Sequence, residues 1–300
     1  MQIMNMSEKR FNNLEPLDLP NHVYNTEAKL FLLEEKKKWE KKKYVLKKLF
    51  NDSGTVFSNK LYTINELIDK RSEIDVPELV MPEKLVAIYG NIVGFIMPYI
   101  DNIDFKTILN SYEFSNEQKI EYFKEIGEIL ESIKRVREFT SVNEFYLNDL
   151  HENNFVLNKE TGRINVVDLD SCKIGFNSAF AARYLSYNSP VNLISKYKKV
   201  TSAIYNEPRI LPDHNTDIYC YIIVILNYLS GRNVSSLSMD EFYDYLSYLH
   251  SLGISYELID MLALVYTEHE NINPYEYLDE LSSVVGRSHY NVYKMLKKKK

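Results

Sequence analysis

The sequence predicts an α+β fold in which strands come first and helices follow. Up to about Ile100 the apolar residues fall in short runs rich in β-branched and aromatic side chains, separated by charged or glycine-containing turns. After Asp101 they recur at helical spacing, in stretches opened by capping patterns. Within that helical half lies Tyr146-Leu147-Asn148-Asp149-Leu150-His151-Glu152-Asn153-Asn154, followed by Val166-Val167-Asp168-Leu169-Asp170. Here oxygen-bearing side chains sit on short loops between strand-like apolar residues.

The bulk properties narrow the function classes. A chain of 300 residues has room for one large domain or two lobes. A formal charge of -6 argues against general nucleic-acid binding, which leaves a basic footprint. The two cysteines, Cys172 and Cys220, have no metal-like spacing, and the histidines form no HxxxH or HExxH pair. The cysteine usage points to a reduced, cytoplasmic protein. No apolar run approaches the roughly 18 to 20 residues of a membrane span, and the N-terminus has no signal-peptide core. The 24 tyrosines read as compositional bias together with use in the core.

Taken in order, Met1 to about Pro20 is polar without sustained periodicity and reads as a loose arm. Lys29-Leu30-Phe31-Leu32-Leu33 and Tyr44-Val45-Leu46-Lys47-Lys48-Leu49-Phe50 read as two strands. The charged stretch between them, Glu34 to Lys43, is expected to be a solvated hairpin tip in preference to a nucleic-acid patch. Lys47 stands inside the second run, where a lysine either points to solvent or, turned inward, meets a phosphate. From Asn59 to Lys70, Leu61, Ile64, Leu67 and Ile68 recur at helical spacing, and Glu66 falls beside that stripe. Leu85 to Ile100 reads as a hairpin about Gly90-Asn91. Pro98 marks the end of its second strand and a natural place for a linker.

Ser115-Asn116-Glu117-Gln118 is a capping-box pattern that opens a helix with Ile120, Phe123, Ile126, Ile129, Leu130 and Ile133 on one face. Asp213 to Gly231 is a second helix, apolar nearly all round from Cys220 to Leu229. It is therefore expected to form the buried centre of the C-terminal half. Ser238-Met239-Asp240-Glu241 caps another helix, and Asn273-Pro274 opens one more. Lys297 to Lys300 reads as a frayed, solvated run. The acidic stretch between these helices holds the hard oxygen groups that a Mg-nucleotide site requires.

A lysine strand, a glutamate helix, a hairpin, a linker and a helical half with a two-aspartate loop follow one another in this chain. In that order it resembles the protein kinase-like superfamily, from about residue 22 to 282. The D-x-x-x-x-N spacing of Asp149-Leu150-His151-Glu152-Asn153-Asn154 matches the kinase catalytic loop, and Asp168-Leu169-Asp170 takes the place of D-F-G. Lys47 takes the place of the strand lysine and Glu66, 19 residues on, that of its ion-pair partner. Asp217-Ile218-Tyr219-Cys220 resembles the start of the large buried helix whose aspartate braces the catalytic loop.

The resemblance implies a bilobal fold. A flexible arm would cover residues 1–20 and a small antiparallel β-rich N-lobe with one helix 21–100. A larger, mainly helical C-lobe would cover 101–285, and a basic tail 286–300. It also implies ATP with Mg²⁺ (or Mn²⁺) as the ligands. Lys47, held by Glu66, would ground the α/β-phosphates, and Asn154 and Asp168 would hold the metal. Asp149 would take the proton of an acceptor hydroxyl. His151, where most kinases have lysine, would either neutralise the transferring phosphoryl group or pack in the loop. Met97, Pro98 and Ile100 would meet adenine, with the Pro98 carbonyl and the Ile100 N–H pairing with the base.

The departures bear on activity. No glycine precedes Gly54, so Val23-Tyr24-Asn25-Thr26-Glu27-Ala28 replaces the Gly-rich loop over the phosphates, and Glu27 would repel one. Asn148 stands where many kinases have arginine, Asp170 replaces a glycine, and Glu207-Pro208 is the nearest match to A-P-E. The D-L-H-x-x-N loop also looks like that of aminoglycoside and choline phosphotransferases and of atypical bacterial Ser/Thr kinases. The expected function is an ATP-dependent kinase with a protein acceptor. The alternatives are a pseudokinase that binds or regulates a partner, and a small-molecule phosphotransferase.

Overall fold

In chain order the elements are β1 (Ile3–Met6), α1 (Glu8–Asn12), β2 (Glu15–Pro16), β3 (Ala28–Lys37), β4 (Glu40–Leu49), α2 (Gly54–Asp69), β5 (Lys84–Ile88) and β6 (Asn91–Pro98). They continue with β7 (Asn102–Asp104), α3 (Phe105–Asn110), α4 (Asn116–Phe139), β8 (Phe145–Tyr146), β9 (Phe155–Asn158), β10 (Ile164–Val166) and β11 (Lys173–Ile174). Last come β12 (Lys199–Thr201), β13 (Pro208–Ile210), α5 (Thr216–Ser230), α6 (Met239–Ser251) and α7 (Tyr256–Glu268). The computed structural model describes residues 2–18, 28–37, 40–50, 53–175, 199–201, 208–210 and 213–288. The fold is α+β, as the sequence predicts. The chain divides into two units: Met1–Ile103 with Val136–Phe145 and Val156–Ser178, and Asp104–Arg135 with Tyr146–Phe155 and Ala179–Lys300.

The first unit is built on a six-stranded sheet of order β1-β5-β6-β4-β3-β2. Its pairs are antiparallel except β1 with β5, which run parallel. The reading of residues 1–20 as a loose arm is corrected here. Ile3–Met6 is an edge strand, Ser7 caps α1 through its hydroxyl, and Glu15–Pro16 pairs with β3. Met6 is buried with Phe31, Leu33, Tyr44 and Leu46. Four residues are too few to show a period, and the strand exists because β5, far along the chain, supplies its hydrogen bonds. The charged stretch Glu34 to Lys43 is likewise mostly ladder: β3 and β4 stay in register from Ala28↔Leu49 to Lys37↔Glu40.

Strand alternation sorts β4 between two cores. Tyr44 and Leu46 face Phe31, Leu33, Val86 and Ile96, whereas Val45 packs with Ile64 and Ile68 of α2. Lys47, two residues beyond Val45, shares its face. The β5–β6 turn is Tyr89-Gly90, both at positive φ, one residue earlier than the sequence suggests. At Gly94, opposite Lys48, β6 approaches β4 so closely that a Cβ would lie 2.0 Å from the Lys47 carbonyl oxygen. A register shift between Val86 and Ala87 accompanies it, as expected where a glycine marks a bulge.

The first unit also takes up β10, which the sequence places with the later helices. The reason is a set of backbone bonds. Val80 N–H donates to the Val166 carbonyl and Val166 N–H to the Glu78 carbonyl, both at 2.9 Å. The Asn165 amide donates to the same Glu78 carbonyl.

In the second unit α5 is buried on every side from Thr216 to Leu226 and ends at Gly231 in the left-handed region. The six apolar residues named on α4 are all buried, and the expected capping boxes at Ser115/Gln118 and Ser238/Glu241 are formed. Buried tyrosines place their hydroxyls on carbonyls: Tyr221 on Phe123 at 2.6 Å and Tyr266 on Val234 at 2.7 Å. Tyr275–Ser283 is a 3₁₀ run, not the α-helix suggested by Asn273-Pro274. Its buried residues, Leu278 and Leu281, are followed by buried Val284, and that three-residue spacing suits three residues per turn. Among the described residues no helix is long and apolar enough to cross a membrane.

Gly94 gives the first test. Gly94→Ala is expected to cost about 2 kcal/mol, the scale of a core insertion that must displace backbone. Urea denaturation measures the loss, and the shift falls at Lys47 rather than at the hairpin tip.

Candidate functional site

Among the described residues of the first unit, two lysines are buried. Lys47 is 4% exposed and Lys60 5%. Lys47 turns inward because β4 alternates. Lys60 turns inward because it lies three residues after Phe57 and four before Ile64, so Phe57, Lys60, Ile64 and Leu67 share one buried stripe of α2. The Lys47 ammonium contacts the Asp168 carboxylate and lies 3.2 Å from Asp170 Oδ2. The Lys60 ammonium lies 3.2 Å from that same Asp170 oxygen. Side chains 121 residues apart in sequence thus meet in an ion-pair cluster of two cations and two anions.

The backbone around Asp168 explains its presentation. β10 is fixed by the Glu78–Val80 bonds, and the chain leaves it through Asp168 in the left-handed region (φ 65°, ψ 45°) into a 3₁₀ turn, Leu169–Ser171. A non-glycine residue there is uncommon and costs of order 1 kcal/mol. The turn buries Leu169 and Asp170 and leaves 45% of the Asp168 side chain exposed. Burial disfavours the Asp170 charge, but Lys47 and Lys60 outweigh it and hold the carboxyl below the usual range. Burial likewise works against the Lys47 charge, and Asp168 and Asp170 overcome it, raising Lys47 above its ordinary value. Asp170 Oδ1 is buried with no hydrogen-bond partner.

The expected Lys47–Glu66 pair is corrected: the carboxylates on Lys47 are Asp168 and Asp170. Glu66 is half-buried on α2 and forms no ion pair among the described residues. Its Oε2 would stand 3.8 Å from a Cβ built on Gly175. Six residues separate Glu66 from Lys60, which puts them on different faces of α2. Met97 is buried against Val45, Phe95 and α2. Pro98 is opposite Tyr44, and the Tyr99 N–H donates to the Lys43 carbonyl. Pro98 therefore occupies a non-hydrogen-bonded position, with its carbonyl turned away from β4. Ile100, half-buried just beyond, accepts from the Asn102 amide at 2.8 Å.

The second unit holds the Asp149 loop. Asp217, 3% exposed at the start of α5, receives the N–H of Leu147 at 2.9 Å and of Asn148 at 2.7 Å, one on each carboxylate oxygen. Asn148 is fully buried in the left-handed region, φ 71°. The Asn154 amide nitrogen donates to the Asp149 carbonyl at 2.7 Å, which leaves its oxygen as the group available to a cation. His151 is 6% exposed and opens a 3₁₀ turn, Glu152–Asn154, where its Nδ1 accepts the Asn153 N–H. A neutral ring held this way carries its proton on Nε2, which lies 3.8 Å from Asp149 Oδ2. His151 thus faces the aspartate, within the loop.

Residues Val23 to Glu27, Glu207 and the Lys297–Lys300 tail lie outside the described residues. Lys60 is the site residue that the sequence reading misses. Its signal was a lysine four residues before Ile64, inside the expected helix and on the apolar stripe itself. Among the described residues no group of three or more His, Cys, Asp or Glu is arranged to hold a metal ion. No protein-family model matches the chain, and no curated protein matches it.

Two outcomes are expected. Asp217→Asn, which weakens two buried charge-assisted bonds, should lower stability by about 2–3 kcal/mol. Hydrogen exchange should show lost protection at the Leu147 and Asn148 amides. The second concerns pH. Because Asp170 is lowered from 3.8, its contribution is present above that value and is lost as pH falls through the folded value. The stability gap between the native chain and Asp170→Asn should narrow as pH falls below about 4.

Proposed function

We propose that the chain is an ATP- and Mg²⁺-dependent phosphotransferase of the bilobal protein kinase-like kind, an atypical Ser/Thr kinase acting on a protein hydroxyl. The observation that carries the reading is the ion pair between Lys47 and Asp168. The resemblance assigns these two residues to phosphate and metal, and nothing in their sequence separation requires them to meet. The Asp217 brace on Leu147 and Asn148 and the Asn154 bond to Asp149 support it further.

Mg²⁺ takes one or two carboxylates and completes its shell with water and substrate phosphates. In the first unit Asp168 offers a carboxylate with 45% exposure; in the second, Asn154 offers an amide oxygen whose nitrogen is already engaged. When bound, the metal supplies charge neutralisation on the phosphates. Lys47 grounds the nucleotide phosphates. Asp149 orients the acceptor hydroxyl and takes its proton, with His151 Nε2 3.8 Å from its carboxylate. The outward Pro98 carbonyl accepts from the adenine amino group.

One observation favours a regulatory, non-catalytic kinase-like module instead: the Lys47 ammonium occupies the carboxylate that the enzyme needs for metal. Thermal shift and phosphoryl transfer separate the two. For the enzyme, Mg-ATP raises Tm by several degrees, about 1 kcal/mol or more at this size. Asp168→Ala abolishes that shift. Asp149→Ala keeps it and lowers turnover about 10³-fold. Nucleotide binding without transfer to proteins or to the chain itself leaves the module, and no binding at all rejects the enzyme.

A further inference from the structure

We propose that Lys60 of α2 and Asp170 form a buried clamp that positions Lys47, in the place of a helix-borne glutamate. The purpose given to Lys47 rests on the phosphotransferase reading; the clamp itself rests on the geometry. Asp170 Oδ2 stands 3.2 Å from both ammonium groups, and all three side chains are at most 6% exposed. The glutamate of α2, Glu66, belongs to another face and lies toward Gly175. α2 thus contributes a cation where the resemblance expects an anion, and the anion comes from the position after Leu169. The helix is coupled to Lys47 through Asp170.

The arrangement divides two tasks. Lys47 touches two carboxylates, and an incoming phosphate can replace only one without stranding the lysine. Asp168, 45% exposed, is the replaceable contact. Asp170, pinned by Lys60 and 2% exposed, keeps Lys47 in place while Asp168 is released to other ligands. Lys60 and Asp170 are therefore positioning residues. Asp170 Oδ2 meets both ammonium groups, so the two lysines hold the carboxylate from both elements.

The test uses the full chain without nucleotide, so it does not depend on catalysis. Lys47 is acylated with acetic anhydride at about pH 8 and its modification followed by peptide mass spectrometry, since only a neutral, reachable amine reacts. Asp170→Asn and Lys60→Met should each label Lys47 at least about tenfold faster than wild type, a change of one order in amine availability. Lys60→Arg should restore slow labelling, and Glu66→Gln should label at the wild-type rate. Should Asp170→Asn fail to fold with its excess buried cation, the charge-balanced Lys60→Met/Asp170→Asn pair carries the measurement and should also label fast. Wild-type labelling rates in Asp170→Asn or in that pair, or fast labelling in Glu66→Gln, overturn the clamp. If the chain transfers phosphate, Lys60→Met should also raise KM for ATP about tenfold with a smaller change in kcat. A chain that shows the labelling pattern but never binds Mg-ATP keeps the clamp and loses the phosphotransferase reading.

Discussion

Burying an ammonium ion costs several kcal/mol unless charge and hydrogen bonds return it, and the described residues of the first unit bury two. Lys47 and Lys60 are both nearly inaccessible, and the carboxylates they meet are on one short turn. This constraint reaches outward. β4 must present Lys47 on the α2 face, so its alternation is fixed, and Gly94 must stay bare for β6 to pass the Lys47 carbonyl. α2 must keep Phe57, Lys60, Ile64 and Leu67 on one stripe. β10 must be tied to Glu78–Val80 so that the turn after Asp168 arrives at the right depth. A change at any of these sites exposes an uncompensated charge.

The second unit uses a buried carboxylate for a different purpose. Asp217 meets backbone N–H groups where Asp170 meets ammonium ions, and so it fixes a chain path rather than a side chain. The path it fixes carries Asn148 at positive φ, a conformation of order 1 kcal/mol uphill for a residue with a Cβ. Two charge-assisted bonds outweigh that cost. From there the loop orders itself: Asp149 receives the Asn154 amide on its carbonyl, and His151 caps the turn between them. The chemistry-bearing side chains are therefore positioned by a helix start that touches none of their functional atoms.

How much of this the sequence discloses depends on the range of the cause. Helix caps and apolar stripes are local, and Ser115, Ser238 and the run from Cys220 to Leu229 behave as their spacing requires. The inward turn of Lys47 follows from alternation once one neighbour's face is known. The parallel β1 strand was invisible because its partner, β5, is distant and its four residues carry no period. Lys60 was passed over although it lies inside the expected helix four residues before Ile64, because a lysine on an apolar stripe reads as a solvent-facing residue. The Lys47–Glu66 pairing failed for a different reason. Spacing along the chain matched a resemblance, but the angular position of Glu66 on α2 and the extra charge at Asp170 decided which carboxylate Lys47 meets. Asp170 was read as a missing glycine, when its significance was the added anion.

An ion cluster of this kind is a poor way to gain stability. Replacing a buried charged group by apolar residues of similar volume is often neutral or stabilising, while removing one partner alone costs about 3–5 kcal/mol. Lys60 and Asp170 are each flanked by apolar residues, Phe57 and Ile64 on α2 and Leu169 on the turn, so an all-apolar packing there would be chemically simple. Stability therefore does not explain why α2 places a lysine on its buried stripe. The proposed clamp gives such a lysine a purpose: if Lys47 exchanges one anion for another, it needs a second anion that will not leave, and that anion needs a cation of its own. Asp168 at the surface and Asp170 in the interior, with Leu169 between them, would supply the exchangeable and the permanent contact from a single turn.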